Sequence, residues 1–288
     1  MPQIKALLFN DPSCPFGYSA SPALRAIEWR YRDQIEWHLA VIGLSDENNP
    51  VPYSREEMAG FLVAFRDRYG MPFSAEPKAR AFTSSQACRV ITAARLLYPG
   101  SEWRVFRALQ LLHFNTPLLL DDRAQLREAL GTVPGIEPEL VMAALNSVEV
   151  NEAFRTDFAH ARNAAGSPSE LQGKTAATED GARYTAPTVV FECGDKRAEV
   201  GGFQPLGAYD VVIANLDPNL TRKPPAGSAL EALLPYPAGL TTVEVATVMA
   251  EKTEEVDREG AEKELLDMLA RESVKRVPLG NDAIWVRS

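Results

Sequence analysis

The sequence predicts an α/β fold in which a long helical block interrupts the strands, followed by a small C-terminal domain. A strand–helix–strand pattern occupies residues 4–44, and amphipathic helix patterns then fill residues 54–174. Strand patterns return from residue 186 onward. We therefore interpret the helical block as an insertion into a single α/β domain.

The first element is predicted to be a buried strand, because the apolar run Ile4–Phe9 ends at an Asn-Asp-Pro turn signal. A helix pattern begins at Cys14 or Pro15, and Pro22 interrupts it, so we expect a kink or two helical pieces. A second apolar run, Ile35–Leu44, predicts the next strand. Together these elements form a βαβ unit, whose crossover is expected to be right-handed.

The block at residues 54–174 repeats apolar residues at i, i+3 and i+4 through successive segments. The segments open near Ser, Asp or Glu and several close near Gly or Asn, which are start and stop signals of helices. The pattern predicts a helical bundle with a small core of its own.

After the block, the runs Ala186–Glu192 and Arg197–Val200 predict two strands. A Gly-Gly turn follows, and residues 205–216 predict a helix. Residues 1–53 and 175–216 are therefore assigned to one α/β domain.

The end of the chain has a different character. Residues 217–228 are rich in proline and predict a linker to a tail at residues 229–288. The tail shows three helix patterns and then two short strands joined by a Leu-Gly-Asn-Asp turn, which is the order of a winged helix-turn-helix. Its third helix pattern, residues 257–272, carries six acidic and three basic residues, whereas a helix that reads DNA is expected to be basic. The tail is thus predicted to be a winged-helix-like domain that contacts a protein partner or a second copy of the chain, and DNA is disfavoured.

Charge and cysteine content narrow the classes of function. A net charge of -9 disfavours a general nucleic-acid binder. No apolar stretch has the length expected of a signal peptide or a membrane span, and three scattered cysteines are too few for a disulfide framework. We therefore expect a cytoplasmic protein with reduced thiols and no membrane contact. The three histidines show no metal-ligand spacing, so no metal site is predicted.

Cys14 is the candidate catalytic residue. It lies at the predicted start of a helix, where the macrodipole and the unpaired backbone N–H groups stabilise a thiolate. Pro15 suits the first helical position because its missing N–H is not needed there. Since the thiolate is the nucleophile, the local sequence predicts a lowered thiol pKa at Cys14.

Three segments together carry a family resemblance: "DPSCPFGYSASPALRAI" at residues 11–27, "APTVVF" at 186–191 and "GGFQPLGAYDVVIANL" at 201–216. In this order, with a helical insertion between the first two, they resemble the DsbA-like thioredoxin-fold family. The branch that the chain resembles contains cytosolic oxidoreductases associated with polyketide synthesis. The resemblance covers residues 1–216 and leaves the tail outside it.

The resemblance implies a thioredoxin-like fold and a role for each matching residue. Cys14 would be the nucleophilic cysteine and Pro187 the cis-proline whose loop faces it. Ala186 would offer its backbone to a bound thiol. The substrate-binding residues implied are Pro15, Phe16, Gly17, Ala186 and Pro187.

The chain departs from the family pattern at Gly17, where a C-x-x-C motif has its second cysteine. A single cysteine can form only a mixed disulfide with an outside thiol, so we expect a monothiol oxidoreductase. Glutathione or another small thiol would be its cosubstrate, with no tightly bound cofactor. Cys88 and Cys193 are not expected to resolve the mixed disulfide, since one lies on an apolar helix face and the other at the far end of a strand. If the remaining geometry is intact, Gly17→Cys should create a dithiol activity.

Two other classes of function stay open. Kappa-class glutathione transferases and hydroxychromene carboxylate isomerases also have the helical insertion and a lone Ser or Cys at the helix start, so the chain resembles them as well. A glutathione-dependent transferase or isomerase would form product without net redox change. The third class is a non-catalytic scaffold in which Cys14 is inert.

Overall fold

A computed structural model of the chain describes residues 3–48, 54–179 and 181–288. The predicted domain boundary after residue 53 lies outside the described residues. The strands are β1 (Ile4–Asn10), β2 (Ile35–Val41), β3 (Thr175–Thr178), β4 (Gly181–Tyr184), β5 (Thr188–Cys193), β6 (Lys196–Gly201), β7 (Leu240–Thr241), β8 (Val274–Leu279) and β9 (Asp282–Arg287). The helices are α1 (Pro15–Ser19), α2 (Ser21–Tyr31), α3 (Arg55–Tyr69), α4 (Ser85–Leu97), α5 (Glu102–Asn115), α6 (Arg123–Gly131), α7 (Pro138–Ala144), α8 (Val148–Ala161), α9 (Pro168–Leu171), α10 (Leu206–Leu216), α11 (Ala229–Leu233), α12 (Thr242–Val248) and α13 (Arg258–Ala270).

The main sheet has the strand order β2-β1-β5-β6. β1 runs parallel to β2, while β5 pairs antiparallel with both β1 and β6. Strands from before and after the helical block therefore lie in one sheet, which confirms the α/β fold. The helical pattern after Cys14 forms two pieces, as expected, because Pro22 begins the second piece.

The helices α3–α9 occupy residues 55–171, within the segment whose pattern predicted helices. The hairpin of β3 and β4 was not predicted, because its strands are four residues each and carry small and polar side chains without a clear apolar alternation. The expectation of a separate core in the helical block is wrong. Most buried apolar side chains of the sheet, the block and the tail share one cluster. A smaller cluster of block residues also includes Tyr18 of α1 and Val243 of the tail.

The tail folds as helix, short strand, two helices and a hairpin, and its sheet has the order β7-β9-β8. The segment 217–228 has no helix or strand, but it is fixed along α2 rather than free. The Lys223 N–H donates to Arg30 O at 2.9 Å, and the Trp29 indole N–H donates to Pro224 O at 2.9 Å. The Lys223 ammonium lies 3.3 Å from the Trp29 ring centroid, in a cation–π contact.

A buried polar network joins the tail to the rest of the chain. Glu244 of α12 forms an ion pair with Arg107 of α5 at 2.7 Å and accepts the Ser21 hydroxyl at 2.5 Å. Burial alone would raise the pKa of Glu244, but the Arg107 guanidinium outweighs it and holds this pKa at about 2. Arg30 of α2 donates to the carbonyls of Ala250 and Glu251 at 2.9 and 2.8 Å. The tail is therefore docked against α2, the helix that continues from the candidate site.

Candidate functional site

The structure brings Cys14 and the proline loop together. Cys14 is the N-cap of α1, and its Sγ accepts a hydrogen bond from the Gly17 N–H at 3.4 Å. On its other side the thiol donates to Ala186 O at 3.2 Å. The Ala186–Pro187 peptide bond is cis. Residues 14 and 186 are thus in contact although 172 positions separate them in sequence.

The prediction of a lowered thiol pKa at Cys14 is wrong. The side chain is only 6% exposed, and burial raises the pKa to about 12, to which the negative charge of Asp11 contributes. The N–H groups of Gly17 and Phe16 and the charge of Arg183 act in the opposite direction but do not compensate. The helix start is present as the sequence indicated. Its effect is smaller than the cost of placing a thiolate where water does not reach.

Asp11 organises the loop that carries Cys14, and sequence reasoning did not single it out. Its carboxylate is fully buried and accepts the Ser13 hydroxyl at 2.6 Å, the Leu44 N–H at 2.8 Å and the Ser84 hydroxyl at 2.9 Å. The Cys88 thiol lies 3.5 Å from the same carboxylate. Asp11 therefore connects the Cys14 loop to the end of β2 and the start of α4. The signal available in the sequence was its position three residues before the cysteine, at the end of a strand.

The position of the absent second cysteine is occupied by another side chain. A Cβ at Gly17 would lie 2.0 Å from Oδ1 and 2.8 Å from Cγ of Asn10, whose side chain is 1% exposed. Asn10 Oδ1 in turn accepts the Asp11 N–H at 2.8 Å. A cysteine at position 17 therefore requires the Asn10 side chain to move, and the expectation that Gly17→Cys creates a dithiol activity depends on that movement.

Neither of the other cysteines is bonded to Cys14. All three cysteines are free, and Cys88 is fully buried in the core against Asp11. β5 places Thr188 beside Phe9 at the Cys14 end of the sheet and Glu192 beside Lys5 at the opposite end. Cys193 follows Glu192 and so lies at the far end from Cys14.

An aromatic ridge flanks Cys14, formed by Phe16, Phe65, Tyr69 and Phe203. Phe16 is 40% exposed, and its ring centroid lies 4.8 Å from that of Phe65 and 6.5 Å from that of Phe203. Tyr69 and Phe203 are 4.6 Å apart. Only Phe16 was predicted, because the others come from the helical block and from the turn after β6.

A cavity of about 410 Å³ lies on the side of the ridge that faces the helical block. We call it the insertion cavity; its apolar lining residues are Pro15, Met58, Phe61, Leu62, Phe82 and Phe114. Three titratable side chains, Glu57, Lys78 and His113, also line it. Burial lowers the pKa of Lys78 to about 7, and burial together with Lys78 holds the pKa of His113 well below its ordinary value. The Lys78 ammonium donates to the carbonyls of Thr116 and Leu118 at 2.7 and 2.9 Å, so it closes the end of α5.

A second depression of about 740 Å³ lies beside Tyr69 and Phe203 of the ridge, against the tail. Part of its wall comes from Val243, Thr247, Thr253 and Arg258 of the tail. We call it the tail cleft. The two spaces thus lie at the helix that begins after Cys14: Pro15 and the helical block line one, and Ser19 and the tail line the other.

Within the described residues, no three His, Cys, Asp or Glu side chains are grouped as metal ligands would be. The same residues include no helix with both the length and the apolar character needed to cross a bilayer.

Comparisons with known proteins give one family match and several structural matches. The model of the DSBA-like thioredoxin domain matches residues 7–176. The cytosolic disulfide reductase DsbM of Pseudomonas aeruginosa is 21% identical, with a TM-score of 0.53 over 75% of this chain and 98% of that chain. The structure of DsbM with GSH gives 20% identity, 75% and 98% coverage and the same TM-score of 0.53. A candidate protein disulfide isomerase from Nitrosomonas europaea is 17% identical, with a TM-score of 0.58 over 74% of this chain and 97% of that chain. A comparison with curated proteins found no match.

Proposed function

The chain belongs to the DSBA-like thioredoxin domain family, and from this premise we propose that it is a thiol–disulfide oxidoreductase acting through Cys14 alone. One observation carries the proposal. The Cys14 sulfur lies at a helix start, 3.2 Å from the carbonyl that precedes a cis-proline, while Asn10 occupies the space of a second cysteine. This arrangement leaves one sulfur for exchange with an outside thiol or disulfide. Pro15, Phe16, Gly17, Ala186 and Pro187 would form the surface on which that partner binds.

The exchange has two balanced steps. In the first, the Cys14 thiol gives its proton to solvent, and the thiolate attacks one sulfur of oxidised glutathione. The mixed disulfide forms, and the second glutathione leaves as a thiolate. In the second step, an incoming thiolate attacks the glutathione sulfur of the mixed disulfide and forms a new disulfide with it. The Cys14 thiolate leaves and is reprotonated. Because a thiolate of high pKa is a poor leaving group, we expect a long-lived adduct.

The test is alkylation of Cys14 with iodoacetamide across pH 7 to 10, read residue by residue by mass spectrometry, with and without oxidised glutathione. A thiol of pKa about 12 is almost fully protonated throughout this range. Its rate should therefore rise about tenfold per pH unit, while a free cysteine levels off near ~8.5. Oxidised glutathione should leave an adduct on Cys14, which the Cys14→Ser variant lacks. A rate that levels off between pH 7 and 10 would contradict the raised pKa, and the absence of any adduct up to pH 10 would contradict exchange through this sulfur.

The insertion cavity favours a second candidate, a glutathione-dependent transferase or isomerase of the kappa-like type. Its apolar walls begin at Pro15, the neighbour of Cys14, and would hold an apolar substrate. In that reaction the protonated Cys14 thiol would donate a hydrogen bond to a glutathione thiolate. Formation of product without any change in the total of thiols and disulfides would select this candidate.

The burial of the Cys14 thiol favours a third candidate, a binding scaffold without catalysis. A protonated sulfur that is 6% exposed has little nucleophilic character. The same alkylation experiment tests it, because a scaffold would show neither adduct nor turnover.

For the tail we propose a winged-helix-like domain that binds a protein partner or a second copy of the chain. Its order of helix, short strand, two helices and hairpin, with β7 beside β9, supports this. DNA is disfavoured by the acidic composition of α13 and by the net charge of -9.

We also propose a cytoplasmic location and the polyketide-associated branch, supported by the three free cysteines, the motifs around Cys14 and the likeness to a cytosolic reductase.

A further inference from the structure

The tail cleft is built from segments that are distant in sequence. Its lining comes from the start of α2, the end of α3, the turn after β6 and the tail. Tyr69 and Phe203 form its aromatic side, and the same two rings continue through Phe16 toward Cys14. A ligand in the cleft therefore lies next to aromatic rings that contact Phe16, two residues after the reactive Cys14.

The cleft has a positive charge that contrasts with the acidic chain around it. Three guanidinium groups line it, those of Arg66, Arg68 and Arg258, against one carboxylate, that of Asp67. Asp67 pairs with Arg66 at 2.8 Å, and the buried Asp282 lies 3.5 Å from Arg258. The chain as a whole has a net charge of -9.

One of these arginines, Arg68, is placed to offer its donors to a ligand. Arg68 is exposed, and the contact shown for its guanidinium is a cation–π contact with the Tyr69 ring at 5.3 Å. The Arg258 guanidinium lines the cleft too, but its Nε–H is buried and its charge faces the buried Asp282. The neighbouring acidic pair Glu254–Glu255 does not line the cleft, and Glu255 lies 3.8 Å from Lys252. Guanidinium groups beside aromatic rings are suited to carboxylates on an extended peptide.

We propose that the tail cleft binds an acidic peptide segment of the thiol or disulfide substrate, whose cysteine then meets Cys14. This inference rests on the proposed exchange function and names its substrate class. A space of about 740 Å³ accommodates several residues of a peptide rather than a single small group. The tail thus acts as a specificity determinant, because Arg258 and part of the apolar floor belong to it.

The experiment compares two short peptides that differ only in charge. Each has a central cysteine activated as a mixed disulfide with thionitrobenzoate, flanked by glutamates in one and by lysines in the other. Attack of the Cys14 thiolate on the peptide sulfur forms the peptide–Cys14 disulfide and releases coloured thionitrobenzoate. At low salt the glutamate peptide should react about tenfold faster than the lysine peptide. In Arg68→Glu this ratio should fall to near one, while the rate with neutral hydroxyethyl disulfide stays unchanged.

The matched control is Arg155→Glu on α8, an exposed arginine outside the cleft that changes the net charge by the same amount. Equal effects of the two variants would mean general charge steering and would overturn the inference. An unchanged ratio in Arg68→Glu would overturn it too. So would self-association of the chain that depends on Arg68 and does not respond to added peptide. Failure of the proposed exchange is recognised separately, with fluorescent peptides that carry alanine in place of cysteine. If the glutamate form of these peptides binds through Arg68 while no activated peptide reacts at Cys14, that result would support peptide binding in the tail cleft and contradict the proposed exchange at Cys14.

Discussion

The insertion cavity is lined by Pro15 at the start of α1 and the tail cleft by Ser19 at its end, yet the two spaces differ in almost every physical property. The cavity has apolar walls, and the pKa of each of its two basic side chains is lowered by burial. The cleft is larger and has three guanidinium groups on its surface. Both are closed by segments outside the βαβ unit that holds Cys14. The reactive position is thus supplied by the shared fold, while the added segments decide what can approach it.

The largest expected effect comes from removing the tail's buried ion pair. Glu244→Ala leaves Arg107 without its carboxylate, and we expect the free energy of unfolding to fall by about 3–5 kcal/mol. Chemical denaturation measures this loss. The tail cleft should lose its charge preference in the same variant, while the insertion cavity keeps its substrates.

The control for this variant is Glu231→Ala, whose carboxylate is 38% exposed and pairs with Lys223 at 3.1 Å. Because water screens this exposed pair, its loss should cost far less than that of Glu244, and equal losses in the two variants would contradict the role of the buried pair. The pH dependence gives a second check. The folded pKa of about 2 lies below the ordinary 4.5, so the contribution of Glu244 is complete above pH 4.5 and is lost as the pH falls toward 2.

A smaller effect is expected from filling the insertion cavity. Met58→Trp places a large ring among its apolar walls and should slow the reaction of Cys14 with an aromatic disulfide, dithiodipyridine, about tenfold. Rates with hydroxyethyl disulfide and with the glutamate peptide should not change. Leu96→Trp, at a position that is 45% exposed on α4, controls for the added ring. Equal slowing with all three disulfides would show that the two spaces are not independent.

The smallest effect is expected at the sulfur itself, between the two spaces. Asp11→Asn removes the negative charge that helps to raise the pKa of Cys14, so this pKa should fall. Alkylation at pH 8 should become a few times faster, by the same factor for apolar and acidic reagents. Asp33→Asn, an exposed carboxylate after α2, is the control and should leave the rate unchanged. A slower reaction in Asp11→Asn would indicate that the hydrogen bonds of Asp11 matter more than its charge.

Features that depend on local sequence could be predicted well. The break at Pro22, the helix start at Cys14 and the acidic α13 are all readable from neighbouring residues. The pairing of Cys14 with the Ala186–Pro187 loop was expected only through the family resemblance. No local pattern joins positions so far apart.

Features that depend on burial or on distant contacts could not be predicted. The pKa of Cys14 follows from exclusion of water, which the helix-start argument does not contain. The contact between Asn10 and the Gly17 position arises where the end of β1 meets α1. The tail cleft joins Pro22, Tyr69 and Phe203 to the tail, and the charge balance of α13 gave no indication of a basic surface there.

The side chain of Asn10 also has an evolutionary consequence. A chain that acquires a cysteine at position 17 first must accommodate it against Asn10, while a chain that first loses Asn10 gives up the hydrogen bond to the Asp11 N–H. Either order passes through an intermediate that is less stable than its starting point. The one-cysteine and two-cysteine forms are therefore separated by a pair of epistatic substitutions. A single Gly17→Cys step is therefore expected to be unfavourable unless position 10 changes with it.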